Sequence, residues 1–361
     1  MFSKKLKDLY GLYERRISPI AFIFGFLWDN FTLVRIDLLY DNIVLLFHLT
    51  VACSAIILTN AYDAGRFRNK IPQETAEVLL PFLMQFSFGG LFSAFFVFYS
   101  RSGSLLTSWP FLLFIAILLL GNERFHNRYF RLTFHLSVFF VVLFSYLIFA
   151  IPIILGAMGT KIFLLSGGAG IALITIFIFL LWRVTPQRFL CSWKMILISI
   201  GGIYLAFNIL YFTNVIPPIP LAMKELGVYH SVAKNDSTYS LQYEPARWFE
   251  SFISNPVFHR AGSVPVFVYG AVFAPTRLTS NIFHRWSYYD EKLTAWVETD
   301  RLPFQIVGGR SEGYRGYTMK YGVSTGMWRV DVITEQEQII GRITFTIVQA
   351  DSTPNLQTDI R

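Results

Sequence analysis

Between residues 1 and 214 the chain alternates long apolar stretches with short polar linkers, and the linkers alternate between crowded and sparse in Lys and Arg. Lys4, Lys5, Lys7, Arg15 and Arg16 precede the first stretch, Arg35 stands alone in the next linker, and Arg66, Arg68 and Lys70 share the one after. Arg101 is again alone, followed by the cluster Arg124, Arg128 and Arg131, a lone Lys161, and then Arg183, Arg188 and Lys194. Every second linker is basic, 14 residues against 3. Cytoplasmic loops retain Lys and Arg, so this pattern predicts a multi-pass membrane protein with its N-terminus in the cytoplasm. After an odd number of spans, residues 215–361 are expected outside the cytoplasm.

A spanning helix needs about 20 apolar residues. Seven stretches qualify: 17–33, 43–59, 78–99, 105–121, 132–155, 162–182 and 195–213. Asp29 and Asn30 interrupt the first. Ser166, Gly167, Gly168, Ala169 and Gly170 place small residues in the sixth, where helix backbones can approach closely. No internal repeat divides the spans into inverted halves, which weighs against a two-repeat transporter. The basic start runs into an apolar stretch with no small-residue cleavage site, so it reads as an anchor.

The net charge of +8 belongs entirely to this part: residues 1–214 hold 17 basic and 9 acidic residues, whereas residues 215–361 hold 14 of each. The high basicity therefore points to loops facing anionic lipid, and nucleic acid is excluded as a partner. The lipid bilayer is the one partner the composition demands. Residues 215–361 contain no cysteine, so a disulfide cannot staple them and they must be held by their own core.

Pro217, Pro218 and Pro220 end the last apolar stretch, since three prolines in four positions cannot continue a helix. Residues 215–262 read as a connector with a short helix expected over 245–252, and residues 351–361 as a tail without structure. Between them, residues 263–350 are β-rich, with strands expected at 264–272, 283–290, 293–299, 302–307, 314–321, 327–334 and 339–348. Trp328, Val330 and Val332 alternate with Arg329 and Asp331, and Ile343, Phe345 and Ile347 with Arg342, Thr344 and Thr346. About seven short antiparallel strands of this kind suggest an all-β, immunoglobulin-like sandwich.

Five groups of residues invite a chemical reading. Asp29, Arg35 and Asp37 set two carboxylates and a guanidinium at the edge of the first span, either as a polar membrane site or as a structural ion pair that fixes the turn. His126 and His135 flank a basic cluster without metal-ligand spacing, so no metal site is expected there. Gly309, Ser311 and Gly313 fit a Gly-x-Ser-x-Gly pattern, but β character follows where a nucleophile elbow needs a helix, so a hairpin loop explains them and no catalytic residue is assigned. Arg310, Arg315 and Lys320 beside that loop, with His284, form a candidate ligand or partner face, set against a reading as solvated loop charges. Trp286, Trp296 and Trp328 are read as sandwich core, or else as a stacking platform.

Several blocks resemble a family of bacterial multi-pass membrane proteins that end in a domain of unknown function. They are Gly25, Phe26, Asp29, Thr32, Leu33, Arg35 and Asp37; then Ile216 to Leu221 with Lys224 and Gly227 to His230; then Val272 to Pro275 with His284, Arg285 and Trp286. The most specific is the last: Gly308, Gly309, Arg310, Gly313, Tyr314, Arg315, Thr318, Lys320, Gly326, Trp328, Arg329 and Val330, ending in Ile340, Gly341, Arg342 and Phe345. The resemblance implies a glycine in the turn near residues 336–338, where this chain has Gln336, Glu337 and Gln338. It implies an architecture and no reaction. The bacterial inner (plasma) membrane is then the expected location.

Three function classes remain. The favoured one is a binding protein whose β domain meets an envelope protein or polymer, with no cofactor. The second is a membrane-embedded enzyme or transporter using Asp29, Arg35 and Asp37. The third, a sensor, lacks a cytoplasmic output domain.

Overall fold

The computed structural model describes residues 27, 29, 31–33, 38–66, 69, 72–102, 105–121, 132–217, 220–235, 238–245, 255–275, 279–307, 313–352 and 354–361. They form two compact units. One holds the helices. The other holds residues 217–361 together with the short segments Arg101–Ser108 and Leu155–Thr160.

The described residues contain six helices, not seven: α1 Leu39–Asp63, α2 Gln73–Ser102, α3 Leu105–Gly121, α4 Leu132–Leu155, α5 Thr160–Val184 and α6 Pro186–Phe212. All but α3, which has 17 residues, are long and apolar enough to cross a membrane. Most of the expected first span, 17–33, lies outside the described residues; Leu27, Asp29, Phe31 and Thr32 within it are helical. The linker expected at 183–194 is helix instead. Only Thr185 separates α5 from α6, because Pro186 opens α6 at its first turn, where a missing N–H costs nothing.

Apolar helices must satisfy their own polar groups. Thr59 and Asn60 of α1 each donate to the carbonyl four residues earlier, at 2.8 Å, and Ser166 of α5 does so at 2.9 Å. α4 is the most enclosed helix, with Phe140, Phe144 and Phe149 fully buried. Phe144 stacks on Phe207 of α6, with ring centroids 4.8 Å apart. Of the small residues of α5, Gly167 stands at a close approach, while Gly168 faces open space. A Cβ on Gly167 would come within 2.9 Å of the Tyr204 ring and 3.3 Å of Phe144, so α4, α5 and α6 meet at a surface only glycine fits. At one end of this unit Arg188 pairs with Asp63 at 2.6 Å, and Arg66 donates to the Arg183 carbonyl at 3.1 Å. Two of the crowded basic linkers therefore share one end of the bundle.

The described residues of the second unit form eleven strands: β1 Ala222–Tyr229, β2 Ser231–Asn235, β3 Thr238–Tyr243, β4 Val257–Ala261, β5 Val266–Phe273, β6 Thr279–Asp290, β7 Ala295–Val307, β8 Tyr314–Lys320, β9 Gly326–Thr334, β10 Ile339–Ala350 and β11 Gln357–Ile360. They build three sheets in the orders β1-β5-β8, β4-β10-β9-β6-β7 and β11-β3-β2. All pairs are antiparallel except β4 with β10. The region read as a connector is largely β, and the expected tail carries β11 paired to β3; short strands with mixed polarity leave little periodicity to read. The residues of the expected helix at 245–252 lie outside the described set but for Pro245. Two expected strands, 293–299 and 302–307, are one strand, β7. It tolerates Pro303 because it is a sheet edge, where no ladder donor is needed on the open side.

The main core lies between the first two sheets. Val266 and Val268 of β5 pack there with Trp286, Trp328, Val330, Phe345 and Ile347, all nearly or wholly buried. Trp328, Val330 and Val332 thus share the inward face that their alternation predicts. The opposite face of β5 carries Tyr269, which packs with Tyr229, Val232, Tyr239 and Leu241 under the third sheet.

Candidate functional site

The outward face of β5 holds a cavity. In the β1-β5-β8 sheet, Glu225, Ala271 and Arg315 stand in one cross-strand row. Ala271 has only a methyl group, so the row is low in its middle and walled by a carboxylate and a guanidinium. Lys224 reaches the same space from the bulge that breaks the β1 register between Met223 and Glu225. Ile360 and Arg361 close it from the end of β11. The resulting cavity is about 420 Å³, lined by Lys224, Glu225, Ala271, Arg315, Ile360 and Arg361.

Three of those six residues are cationic and one is anionic. Arg361 is held in place: its Nε donates to Glu225 at 3.1 Å, and its guanidinium pairs with Asp359 at 3.0 Å. Lys224 makes no ion pair among the described residues, and its ammonium lies 5.7 Å from the centre of the Phe273 ring. Arg315 is half-buried, and its backbone carbonyl accepts from the Tyr239 hydroxyl at 3.4 Å.

Tyr269 lies beside this site without lining it. It is fully buried in the next outward row of β5, and its hydroxyl has no hydrogen-bond partner. Burial pushes the phenol up to about 12, with the Arg315 guanidinium opposing and Glu225 reinforcing the rise. The hydroxyl therefore stays protonated and lies in the field of the charges that line the cavity. A buried polar group left unpaired costs roughly 1–3 kcal/mol.

Of the sequence candidates among the described residues, Arg315 reaches this cavity, whereas His284 and Lys320 do not line it. His284 is completely buried, its Nδ1 2.8 Å from the Thr318 hydroxyl, so it belongs to the core and not to a surface. Trp286 Nε1 donates to that same hydroxyl at 3.1 Å. Lys320 pairs with Asp300 and lies 5.7 Å over the Trp328 ring, and burial pushes its ammonium down. Arg310, Arg35 and Asp37 lie outside the described residues, as do Ser311 and His126. Asp29 is helical and half-buried, and His135 is buried in α4. Trp296 is half-buried, with the Arg329 guanidinium 4.5 Å over its ring.

Sequence reading passed over a second cluster. Glu244 accepts from His230 at 2.8 Å and from His259 at 2.6 Å, and also from the His259 backbone N–H at 2.7 Å. Burial raises the Glu244 carboxyl, but the bonds from His259 and His230 outweigh it and hold the group below the usual carboxylate range. His230 stacks on Phe258 at 4.0 Å. The clasp ties β2, β3 and β4 together. Residues 230, 244 and 259 follow no motif spacing, so nothing in the sequence joined them. Among the described residues no group of three or more His, Cys, Asp or Glu side chains is arranged to hold a metal ion.

Residues 279–347, from β6 through most of β10, match a family model described as "Protein of unknown function (DUF2914)". That segment carries His284, Arg285 and Trp286 and the whole of the block from Gly308 to Phe345 on which the resemblance chiefly rests. No curated protein and no solved structure matches the chain. The matched segment contains Arg315, whereas Lys224, Glu225, Ala271 and Arg361 of the cavity fall outside it.

Proposed function

We propose that this chain is a bacterial inner-membrane protein that holds its β region outside the cytoplasm and uses it to bind an envelope ligand or partner. The observation that carries the binding role is the charged cavity on the outward face of β5, with Arg315 in its wall. The sidedness rests on the basic linkers, 14 residues against 3. A further fact agrees with it: the linkers at Arg66 and at Arg183–Arg188 meet at one end of the bundle.

Reporter fusions after Arg68, Arg128, Arg188 and Arg361 test the sidedness, with the first three expected cytoplasmic and the last exported. A cytoplasmic signal at Arg361 overturns the scheme. For the binding role, crosslinking in native membranes should capture a partner or ligand that the charge reversal Arg315→Glu releases. Unchanged capture by Arg315→Glu removes the cavity from the function.

A further inference from the structure

We infer that the α5–α6 junction, where it meets the end of α1, is a binding site for the headgroup of an anionic phospholipid. The inference goes beyond the role proposed for the β region and rests on the reading of the helices as membrane spans. Asp63 and Arg66 stand at the end of α1, and Arg183 and Arg188 stand on either side of Thr185, the single residue between α5 and α6. The Arg66 guanidinium donates to the Arg183 carbonyl at 3.1 Å, and Arg188 pairs with Asp63 at 2.6 Å, so the four residues form one cluster. Asp63 is the one acid among the described side chains of this cluster, and Arg188 occupies it. Arg66 and Arg183 have no carboxylate partner among the described residues, and both are exposed. Three guanidiniums against one carboxylate leave two positive charges in surplus. The start of α6 adds to them. Its first turn has no acidic residue, and the Thr185 hydroxyl donates to the Leu181 carbonyl at 3.2 Å instead of capping the helix. Uncapped N–H groups at a helix start favour an anion.

The direction of Arg183 identifies the anion as a lipid. Its guanidinium lies back along α5, 4.9 Å from the centre of the Phe179 ring and 5.9 Å from that of Trp182. Ile176, Phe179 and Arg183 are spaced to share one face of the helix, and Ile176 and Phe179 are 57% and 48% exposed. An unpaired cation therefore sits at the head of a bare apolar stripe. A phospholipid presents the complement of both, a phosphate at its head and an acyl chain below it. A charged group at the edge of a span is costly unless it is hydrated or paired, and guanidinium forks suit phosphate oxygens. Basic pockets between helices at the cytoplasmic end hold such headgroups. Trp182, 39% exposed at the same level, suits the headgroup boundary. A choline lipid brings its own cation, so the surplus charge selects an anionic lipid.

The test uses the full chain in maltoside micelles and native mass spectrometry, which counts the lipids that stay bound. Dioleoyl phosphatidylglycerol and dioleoyl phosphatidylcholine are offered in equal amounts. Their tails are identical, so any difference reports the headgroup. Each arginine beside an anionic headgroup is worth a factor of about five, so two uncompensated ones predict a preference for phosphatidylglycerol of roughly 25-fold. Arg66→Gln and Arg183→Gln should each cut that preference about fivefold. Lys161→Gln, at the opposite end of α5, should leave it unchanged. Asp63→Asn removes the offsetting acid and should raise retention of phosphatidylglycerol several-fold, a gain that loss of the fold cannot imitate. An equal amount of inorganic phosphate should not displace the lipid, because it leaves the apolar stripe bare. Equal retention of the two lipids overturns the inference, as does a preference that both arginine variants leave intact. Displacement by inorganic phosphate, or a loss with Lys161→Gln as large as with Arg183→Gln, also overturns it. Micelles have no sidedness, so failure here is distinct from failure of the topology, and neither bears on capture through Arg315.

Discussion

Arg285 stands directly across from Asp331 in the β6–β9 ladder, and its guanidinium bonds the Asp331 carboxylate at 2.8 Å. Asp331 has no exposed surface. On its other side Arg342, in register on β10, bonds the same carboxylate at 2.5 and 3.0 Å, and Arg301 continues the row on β7 beyond Arg285. Four adjacent strands thus carry Arg, Asp, Arg and Arg in one line. Arg329 adds a third guanidinium, 3.7 Å from Asp331. Burial alone would raise the Asp331 carboxyl, but the arginines outweigh it and hold the group below its ordinary value.

Asp331→Asn should therefore destabilise the β region by about 3–5 kcal/mol, since removing one partner leaves buried charge uncompensated. Because the folded-state pKa is depressed, the stabilisation is present above the unfolded value of about 3.9 and is lost as pH falls below it. Denaturant titrations of the wild type and Asp331→Asn, followed by tryptophan fluorescence, should differ at pH 7 and converge toward pH 3. A constant difference across that range would dissociate the ladder from acid sensitivity.

Glu337 closes the row from the β9–β10 hairpin, bonding Arg285 at 2.9 Å and Arg301 at 2.5 Å. It does so from a φ of 64°, in the left-handed region, at the turn where the family resemblance implies a glycine. A non-glycine residue there costs roughly 1–2 kcal/mol. Each of these half-exposed pairs returns about 0–1 kcal/mol. The terms nearly cancel, so Glu337→Gly should stay within about 1 kcal/mol of the wild type. Glu337→Ala keeps the strain and loses both pairs, so it should be the least stable of the three by thermal unfolding. An Ala variant more stable than the Gly variant would reject this account.

The inward side of this sheet was legible and its outward side was not, for one physical reason. Alternation separates Trp328, Val330 and Val332 from Arg329 and Asp331, so it tells which residues share a face. It cannot tell what covers the polar face. Asp331 is buried by Arg285 and Arg342, which lie 46 and 11 positions away and arrive through register alone. The same limit hid the cavity: Glu225 and Arg361 are 136 positions apart. Arg315 stands out in the sequence because it lies in a basic cluster beside a glycine loop, which says nothing of the strands that would face it. His284 misled because its polarity suggested a surface, whereas Thr318 satisfies its Nδ1 inside the core.

Trp328 is 3% exposed and packs edge-to-face with Trp286 at 6.4 Å, with its Nε1 donating to the Ser324 carbonyl at 2.8 Å. Trp328→Ala leaves both a void and an unpaired carbonyl, and should cost about 3–5 kcal/mol. Trp296→Ala removes a half-buried ring stacked under Arg329 and should cost distinctly less. Equal losses in chemical denaturation would place both tryptophans in one core.

The last prediction follows from His284. Burial pushes its imidazole down to about 3, so the folded protein keeps it neutral, while in the unfolded chain it titrates near 6.5. Between those values the unfolded chain holds a proton that the folded one does not. Stability must then fall as pH falls from about 6.5 toward 3, by up to about 1.4 kcal/mol per pH unit from this residue. Asp331 adds its own loss only below about pH 4, so the interval from 6.5 to 4.5 isolates the histidine. His284→Gln will lower stability at pH 7 by disturbing the Thr318 contact, but the slope is the diagnostic quantity. Unfolding free energies at pH 7.0, 6.0 and 5.0 should fall less steeply for His284→Gln than for the wild type, by close to one proton's worth. Parallel slopes would mean that His284 takes up its proton in the folded state, which the buried site beside Thr318 and Trp286 does not accommodate.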